Sequence, residues 1–526
     1  MPVAFQEKSR PVNYWLRRLM PLSGWSHPVR LLIGILALGA ILRLLFLGEK
    51  SFWADEVISV YFARQDWPDF VTILSYETNM MSYHILLRFW LKLGENEFMI
   101  RSLSAILAVA TVPVLYALGA RLFGAKVGLI SALLLAVNAF HIRYAQEARS
   151  YSLLVLLTAL CSWSFLRSID QPSPKNWAGY VLTSVLAVYS HFFAALVLAA
   201  HWASLAFLRP RDVPWKGLVV STLVTGLLLL PVGSFVLTKD IGQVDWIAQP
   251  GPRTVAHAFS GLAGADRFPG SPGGGEFFTL AGAGRTLLLL AYFISCSIAF
   301  VPAARVWSSS KASFQTWHYG FLLTWGIVPV MLALGISILK PIFAVRYFAV
   351  CLPALVLLAA IGISRVRPTW VFAGALAIIV GLATHTVLSY YKYDKEDWRG
   401  ATRYILSQVE SGDAVVLSAP FVWMAFDYYR AKSKGSTGNV PIVVLSDPED
   451  LLLKTRHQAI LILSYSENLP LHYNRVWLVL SHHLDYRVDG PIQASLARKY
   501  PTTRERQFTS VKVVLYSRTL DPERRK

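Results

Sequence analysis

Charged residues are scarce in this chain, and their scarcity limits the class of protein. Of its 526 residues only 15% are charged, 55% are hydrophobic, and the mean hydropathy is +0.46. A soluble globular domain carries about 25% charged residues. Because the apolar residues form separate runs of near-bilayer length, the sequence predicts a polytopic membrane protein rather than an ordinary soluble enzyme.

The chain also has few cysteines and lacks the sequence motifs of nucleotide-binding proteins. The three cysteines, Cys161, Cys296 and Cys351, all lie within apolar runs. This number and placement argue against a disulfide framework and against a thiolate metal site. The chain has no internal repeat and no Gly-rich dinucleotide fingerprint, so a nucleotide site has no support in the sequence.

Acidic residues are outnumbered by basic ones, 31 to 50, which gives a formal net charge of +19. A nucleic-acid-binding protein would gather its basic residues in one patch or stripe. Here they cluster at the ends of hydrophobic runs, where they orient helices in the bilayer. We therefore expect membrane lipids, and no nucleic acid, among the partners of this chain.

The apolar runs predict eleven transmembrane helices. They lie near 29–47, 99–120, 127–142, 148–166, 176–190, 192–208, 217–237, 285–304, 318–339, 345–364 and 369–389. The first is expected to remain as a signal anchor, and the positive-inside tendency puts the basic linkers in the cytoplasm. The apolar segment Tyr83–Leu93 is too short to cross a ~30 Å core, so we expect an interfacial or re-entrant helix there. If this segment were counted as a transmembrane span, every later loop would lie on the opposite side of the membrane.

This topology divides the chain into a cytoplasmic N-terminus at 1–28, a transmembrane domain at 29–391 and an extracytoplasmic domain at 392–526. The outer loop 48–98 carries an acidic motif. The outer loop 238–284 is rich in Gly and Pro and predicts a flexible cover over a substrate. In this topology all the candidate catalytic and binding residues lie on one face of the membrane.

The last part of the chain has the pattern of a soluble α/β domain with a partly parallel sheet, because short β-branched runs alternate there with helical segments. The predicted strands are Ala414–Ser418, Pro441–Leu445, Ala459–Leu463, Val476–Ser481 and Val511–Tyr516. The predicted helices are Ala401–Val409, Val422–Tyr429, Pro448–Arg456 and Pro491–Ala497.

Polar motifs stand at the mouths of several predicted spans. Trp53-x-Asp55-Glu56 follows the first span, and two adjacent carboxylates beside hydrocarbon need a reason to be there. The other motifs are Gln146-Glu147-Ala148-Arg149-Ser150-Tyr151, Pro341-x-x-x-x-Arg346-Tyr347 and Lys395-Glu396-Asp397-Trp398-Arg399. In this order the motifs resemble the integral-membrane GT-C glycosyltransferases, most of all the bacterial relatives of the protein O-mannosyltransferases and the lipid A aminoarabinose transferase. The chain departs from that pattern at Glu77–His84, where many relatives carry a His-Pro-Pro-Leu-Tyr type motif.

The resemblance implies transfer of a hexose or pentose from a polyprenyl-phosphate donor to a cell-envelope acceptor, which could be a glycolipid, a polysaccharide or a protein. Direct displacement inverts the anomeric centre and needs a base for the incoming hydroxyl. Asp55 is the predicted base. Glu56 could orient the acceptor, act on Asp55 by like-charge repulsion, or help to hold a divalent cation. No His/Asp/Glu set has metal-ligand spacing, so that cation is the only cofactor left open.

The leaving phosphate needs positive charge, and arginine suits it because its planar fork donates two hydrogen bonds. The predicted phosphate-binding residues are Arg346, Arg149, Lys340 and Arg143. The predicted substrate-binding residues are Trp53, His84, Glu147, His191 and Tyr347. Each has a plain structural alternative: arginines snorkel to headgroups, aromatic residues anchor at the interface, histidines cap helices, and Glu147 could simply pair with Arg149.

Two other functions would leave different patterns. A surface-polysaccharide polymerase or ligase would show a large outer loop rich in Arg and His, without an acidic pair after the first span. A transporter or flippase of lipid-linked sugars would place ionisable residues at mid-membrane and show paired broken helices. The charged motifs here sit at one rim. The sequence thus favours a glycosyltransferase of the cytoplasmic membrane with its active site on the outer face.

Overall fold

The computed structural model describes residues 27–238, 247–266, 280–308, 314–418, 422–433, 441–445, 460–463, 473–481 and 486–518. The helices, in chain order, are α1 His27–Leu44, α2 Ala54–Arg64, α3 Trp67–Tyr76, α4 Met81–Trp90, α5 Glu97–Phe123, α6 Ala125–Ala136, α7 Ala139–Ala145, α8 Tyr151–Asp170, α9 Pro174–Ser190, α10 Ala194–Ser204, α11 Trp215–Leu228, α12 Leu230–Thr238, α13 Pro252–Leu262, α14 Leu280–Ser308, α15 Phe314–Ser337, α16 Leu352–Ser364, α17 Thr369–Lys392, α18 Trp398–Gln408, α19 Trp423–Lys432 and α20 Tyr486–Lys499. The strands are β1 Asp413–Leu417, β2 Ile442–Leu445, β3 Ile460–Leu463, β4 Arg475–Ser481, β5 Thr502–Phe508 and β6 Val511–Ser517.

Long apolar helices dominate the first three quarters of the chain and make it a multi-pass membrane protein. Among the described residues, seven helical stretches are long and apolar enough to cross a bilayer. The bent pairs α6–α7, at 59°, and α11–α12, at 53°, raise the number to nine if each is a single span. Asn138 marks the first bend, because its side chain accepts a hydrogen bond from the His141 amide and caps α7.

The predicted count of eleven spans is not confirmed. Helices occupy all eleven predicted positions, but α9 has 17 residues and α10 has 11. A straight helix needs about 20 residues to cross the hydrocarbon core. The segment Tyr83–Leu93 forms the ten-residue helix α4 and a 3₁₀ turn at Leu91–Leu93, so its helical character agrees with the prediction.

A six-stranded sheet follows α17 and α18, in the order β3-β2-β1-β4-β6-β5. The strands β3, β2, β1 and β4 are parallel, whereas β6 is antiparallel to both β4 and β5. The partly parallel sheet was predicted, but β5 was not. Its sequence Thr-Thr-Arg-Glu-Arg-Gln-Phe lacks an apolar face because β5 is an edge strand with exposed side chains.

Some predicted features fall partly or wholly outside the described residues. The predicted helix Pro448–Arg456 lies outside them. The predicted flexible cover at 238–284 is described at 247–266, which includes α13, and at its last residues. The remaining parts of that loop, 239–246 and 267–279, lie outside the described residues, so its role as a cover stays a prediction.

The α/β unit lies against the loop 48–98, which carries the acidic motif. The ring of Trp423 on α19 meets Tyr61 on α2, edge to face, at 5.2 Å. In the same way Tyr428 meets Phe52, which precedes α2, at 5.2 Å. The start of α2, and with it the acidic pair, therefore lies close to α19 of the α/β unit.

Candidate active site

The acidic pair opens α2. Asp55 and Glu56 lie in its first turn, where carboxylates are favoured by the partial positive charge of the helix N-terminus. Successive residues on a helix point about 100° apart, since there are 3.6 residues per turn. The two carboxylates consequently enter different surroundings: the Asp55 side chain is 25% exposed and the Glu56 side chain is 0% exposed.

Asp55 faces two arginines from two other parts of the chain. Arg346 Nη1 lies 3.2 Å from Asp55 Oδ2, and Arg149 Nη2 lies 3.8 Å from the same oxygen. Arg149 also donates through Nη1 to the Asp55 carbonyl oxygen at 3.1 Å and to Ser59 Oγ at 3.3 Å. Two guanidinium groups thus share one carboxylate. The excess positive charge favours an anionic ligand beside Asp55.

Some buried donors near these arginines have no partner within the described part of the chain. Among them are the hydroxyl of Tyr151 and Nε2 of His191, on side chains that are 0% and 2% exposed. His191 Nδ1 accepts the Phe193 amide at 3.2 Å, so its neutral ring carries the hydrogen on Nε2. Burial lowers the pKa of His191, and the charges of Arg149 and Arg346 lower it further. We call Asp55, Arg149, Arg346, Tyr151 and His191 the arginine site.

Aromatic residues line the arginine site. The Tyr347 ring lies 4.6 Å from the His191 ring, and the Tyr151 ring lies 6.2 Å from it. The Arg346 guanidinium is 5.8 Å from the ring of Trp53 and 5.7 Å from the ring of Tyr347. The indole Nε1 of Trp53 is another buried donor without a partner among the described residues. Trp53, His191 and Tyr347 therefore lie beside the two arginines, and their predicted contact with substrate stays a prediction.

Glu56 enters a buried ion-pair network instead. Its Oε1 accepts from Arg101 Nε at 2.7 Å and from the Ala148 amide at 2.9 Å, and its Oε2 accepts from Arg101 Nη2 at 2.7 Å. Lys395 Nζ lies 3.5 Å from Oε2. Burial opposes ionisation of Glu56, but these cations and donors outweigh it and keep its pKa below the ordinary value. Both carboxylate oxygens are occupied, so the geometry gives no support to the predicted direct role of Glu56 in catalysis.

Glu147 belongs to the same network. Its Oε1 lies 3.5 Å from Lys395 Nζ and 3.8 Å from Arg143 Nε. Arg143 in turn pairs with Asp266, after α13, at 2.9 Å. Arg143 and Glu147, which were predicted to touch donor and substrate, are thus engaged with other protein charges here. We call Glu56, Arg101, Glu147 and Lys395 the buried cluster.

Two other predicted residues lie apart from the Asp55 ion pairs. Lys340 is half-buried in the segment before the 3₁₀ helix Val345–Cys351, and its assignment to the donor stays a prediction. His84 on α4 is 3% exposed and packs edge to face on Phe62 at 5.5 Å. Burial lowers the pKa of His84, with a smaller contribution from the charge of Arg149.

Glu77 is a carboxylate at the site that sequence reasoning did not single out. It directly follows α3, and burial raises its pKa to about 7, although the charge of Arg149 acts in the opposite direction. The available signal was its place in the segment Glu77–His84, which departs from the family motif. Glu77 is thus a second acidic group, after Asp55, that the charge of Arg149 influences.

A divalent cation does not fit the acidic pair. Asp55 faces two arginines, and both oxygens of Glu56 already accept hydrogen bonds from fixed donors. The two carboxylates therefore do not converge on one point as cation ligands must. Within the described residues, no group of three or more His, Cys, Asp or Glu side chains could hold a metal ion.

Comparisons with known proteins concern the fold of the chain. The family described as dolichyl-phosphate-mannose-protein mannosyltransferase matches residues 80–237. The structure of ArnT from Cupriavidus metallidurans in the apo state superposes with a TM-score of 0.57 at 12% identity, covering 94% of this chain and 99% of that chain. ArnT bound to undecaprenyl phosphate gives 0.52 at 13% identity, covering 94% and 98%. No curated protein matches the sequence.

A third solved structure matches less well. The archaeal oligosaccharyltransferase AglB from Archaeoglobus fulgidus, in complex with an inhibitory peptide and a dolichol-phosphate, gives a TM-score of 0.48 at 14% identity and covers 76% of this chain and 63% of that chain. At such identities the likeness to ArnT establishes the fold. Together with the family match over residues 80–237, it supports the predicted resemblance to GT-C membrane glycosyltransferases.

Proposed function

We propose that this protein transfers a sugar from a polyprenyl-phosphate donor to a cell-envelope acceptor, with inversion at the anomeric carbon. One observation carries the proposal: a partly exposed carboxylate, Asp55, shares one site with two arginines and with the buried donors of Tyr151 and His191, which have no partner among the described residues. A base for a hydroxyl and a charged cradle for a phosphate are the two things that this reaction needs.

Asp55 acts as the base in this proposal. An acceptor hydroxyl attacks the anomeric carbon and gives its proton to Asp55 as the new carbon–oxygen bond forms. The bond from that carbon to the phosphate oxygen breaks, and its electron pair stays on the phosphate. Base and leaving group stand on opposite sides of the anomeric carbon, so the 3.2 Å contact between Asp55 and Arg346 must lengthen when a sugar lies between them.

Arg149 and Arg346 hold the leaving phosphate and neutralise the charge that builds on it. Tyr151 and His191 supply two further hydrogen bonds, which would satisfy donors that otherwise cost about 1–3 kcal/mol each when buried without a partner. The lipid in the second ArnT structure, undecaprenyl phosphate, offers the phosphate chemistry that such a cradle would recognise. Trp53 and Tyr347 could then contact the sugar ring.

The buried cluster has a positioning role in this account. Glu56 bonds to the Ala148 amide, one residue before Arg149, so it ties the start of α2 to the segment that carries this arginine. Lys395 joins Glu56 to Glu147 on the same segment. The base and one phosphate-binding arginine are thereby held in register by groups that do not touch substrate.

The site is proposed to face outward from the cytoplasmic membrane, in a topology of eleven spans with the C-terminal α/β domain outside. The short basic linkers, which membrane proteins keep in the cytoplasm, support this orientation. The check is a single cysteine at Gln171 or Ser407 in a cysteine-free background. An impermeant thiol reagent should label the Ser407→Cys variant in intact spheroplasts and the Gln171→Cys variant only after lysis. The reverse pattern would invert the topology.

The activity itself is tested by mass spectrometry of lipid-linked sugars and envelope glycans from cells with and without the gene. Loss of one glycan modification, together with accumulation of one polyprenyl-phosphate sugar, would name acceptor and donor at once. Purified protein should then convert that donor to free polyprenyl phosphate only when the acceptor is present. Unchanged glycans and lipid-linked sugars would contradict the proposal.

A further inference from the structure

We propose that the C-terminal α/β unit is a working part of the active site, because Tyr429 on α19 fixes the backbone of the turn that precedes Asp55. Tyr429 is a positioning residue in this inference and does not touch substrate. The inference rests on the proposed function of Asp55, and it adds a role for α19, to which neither the motifs nor the comparisons assign one.

The contact is made by one hydroxyl group. Tyr429 Oη accepts a hydrogen bond from the Phe52 amide at 2.8 Å, and the Ser51 hydroxyl lies 3.3 Å from it. Ser51 Oγ also accepts from the Arg399 amide at 3.1 Å. Ser51, Phe52 and Tyr429 are 7%, 0% and 5% exposed, so water competes little for these bonds.

The turn 48–53 is irregular, so its backbone depends on such outside partners. From the membrane side, Arg101 donates to the carbonyl oxygens of Lys50 at 2.8 Å and of Ser51 at 3.0 Å. From the α/β side, the Arg399 guanidinium donates to the Glu49 carbonyl oxygen at 3.0 Å. The Phe52 amide is the last of these fixed points before α2 begins at Ala54.

Asp55 lies three residues beyond Phe52, and Trp53, which caps α2, makes no side-chain cap hydrogen bond. The entry angle of α2 is therefore set by the bonds to the turn rather than by its own cap. Loss of the Tyr429 hydroxyl would leave the Phe52 amide buried without a partner and would let the first turn of α2 shift. Misplacement of a reacting group by 1 Å can cost about 10²-fold in rate.

The neighbouring tyrosine provides a matched control. Tyr428 lies on the same helix, and its hydroxyl also bonds to the membrane part of the chain, but it donates to the Glu95 carbonyl oxygen at 2.8 Å. Its ring contact with Phe52 would persist in phenylalanine. Tyr428→Phe therefore removes one bond between the same two parts of the molecule without releasing the turn before Asp55.

The test compares Tyr429→Phe, Ser51→Ala and Tyr428→Phe with the wild-type protein by hydrogen–deuterium exchange and by kinetics. We expect faster exchange over residues 48–57 in the first two variants, with kcat reduced by about tenfold to 10²-fold and an unchanged KM for the donor. Tyr428→Phe should match the wild type in both measurements.

Wild-type exchange and kcat in Tyr429→Phe would overturn the inference. So would equal losses in Tyr428→Phe, because these would mean that any bond between the two parts matters. The exchange measurement does not depend on catalytic turnover. If the protein had no transferase activity, the proposed function would be refuted, and the exchange data would still test whether Tyr429 holds the turn 48–53.

Discussion

Asp55 and Glu56 are neighbours in the chain, yet their carboxylates lie in different surroundings. Asp55 belongs to the arginine site and Glu56 to the buried cluster. Asp55 is 25% exposed, shares two arginines and lies near donors that have no partner among the described residues. Glu56 is fully buried, and both of its oxygens accept hydrogen bonds from fixed donors. The first surroundings suit a group that must exchange partners, and the second suit a group that must stay in place.

The energies of the two regions differ for the same reason. Removal of one partner from a buried ion pair costs about 3–5 kcal/mol, since the other charge is left uncompensated in a low-dielectric interior. Asp55 and Arg346 are 25% and 21% exposed, so solvent partly screens their attraction, and this pair is weaker than a fully buried one. We therefore expect the bonds between Asp55 and its arginines to open for a substrate at a smaller cost than those of Glu56.

The largest effect is expected from Glu56→Gln, and it should fall on stability. The change leaves Arg101 and Lys395 buried with less opposing charge, which should cost about 3–5 kcal/mol. Yield and thermal stability in detergent measure the effect. If Glu56→Gln folds and melts like the wild type but loses turnover, Glu56 belongs with Asp55 and the contrast between the two regions fails.

Asp55→Asn should give the reverse pattern. It keeps the shape of the side chain and removes the proton acceptor, so turnover should fall by about 10²-fold or more. Thermal stability should stay near the wild-type value because the side chain is partly exposed. Transfer assays beside melting curves of the same preparation check this, and near-normal turnover would remove Asp55 from the role of base.

Arg346→Lys should weaken donor binding although it keeps the charge. An ammonium group cannot reproduce the two-pronged fork, and a hydrogen bond between charged groups is worth about 1.5–3 kcal/mol, or roughly tenfold to 10²-fold. Arg143→Lys is the comparison, since Arg143 pairs with Asp266 and Glu147. Titration with a polyprenyl-phosphate sugar should separate the two variants. Equal affinities would favour a snorkelling role for Arg346.

The last prediction concerns the pH dependence of stability and the carboxylate of Glu77, which the charge of Arg149 influences. Its pKa is raised from 4.5 to about 7, so the folded state prefers the protonated form. That contribution to stability is complete below about pH 4.5 and is lost as the pH rises through about 7. Melting temperatures between about pH 5 and pH 8 should fall less steeply for Glu77→Gln than for the wild type. Parallel curves would show that Glu77 does not titrate in this range.

The parts of the fold that follow from local hydropathy could be predicted from the sequence. Long apolar runs became long helices, and the β-branched runs after Tyr391 became strands. Edge strand β5 was missed because Arg504, Glu505 and Arg506 give it no apolar face. The number of transmembrane helices was harder to predict from the sequence, because whether a helix such as α9 crosses the bilayer depends on its tilt and on the helices that pack against it.

Some contacts of the candidate site could also be predicted from the sequence, and others could not. The meeting of Asp55 with Arg149 and Arg346 could be predicted, because these residues stand at helix mouths on one rim. The partner of Glu56 was missed although a signal existed: Arg101 lies inside a predicted span, and a buried arginine in such a run requires a buried acid. The contacts of Lys395 with Glu56 and of Tyr429 with Phe52 join positions more than 300 residues apart in sequence, which no local pattern reveals.

The most direct test of the central claim is the affinity for polyprenyl phosphate, without sugar, measured by one method for three proteins. If Arg149 and Arg346 form the phosphate cradle, Asp55→Asn should bind this lipid at least as tightly as the wild type, because the carboxylate no longer competes for the arginines. Arg346→Lys should bind it about tenfold more weakly or worse. Weaker binding by Asp55→Asn together with unchanged binding by Arg346→Lys would contradict the account.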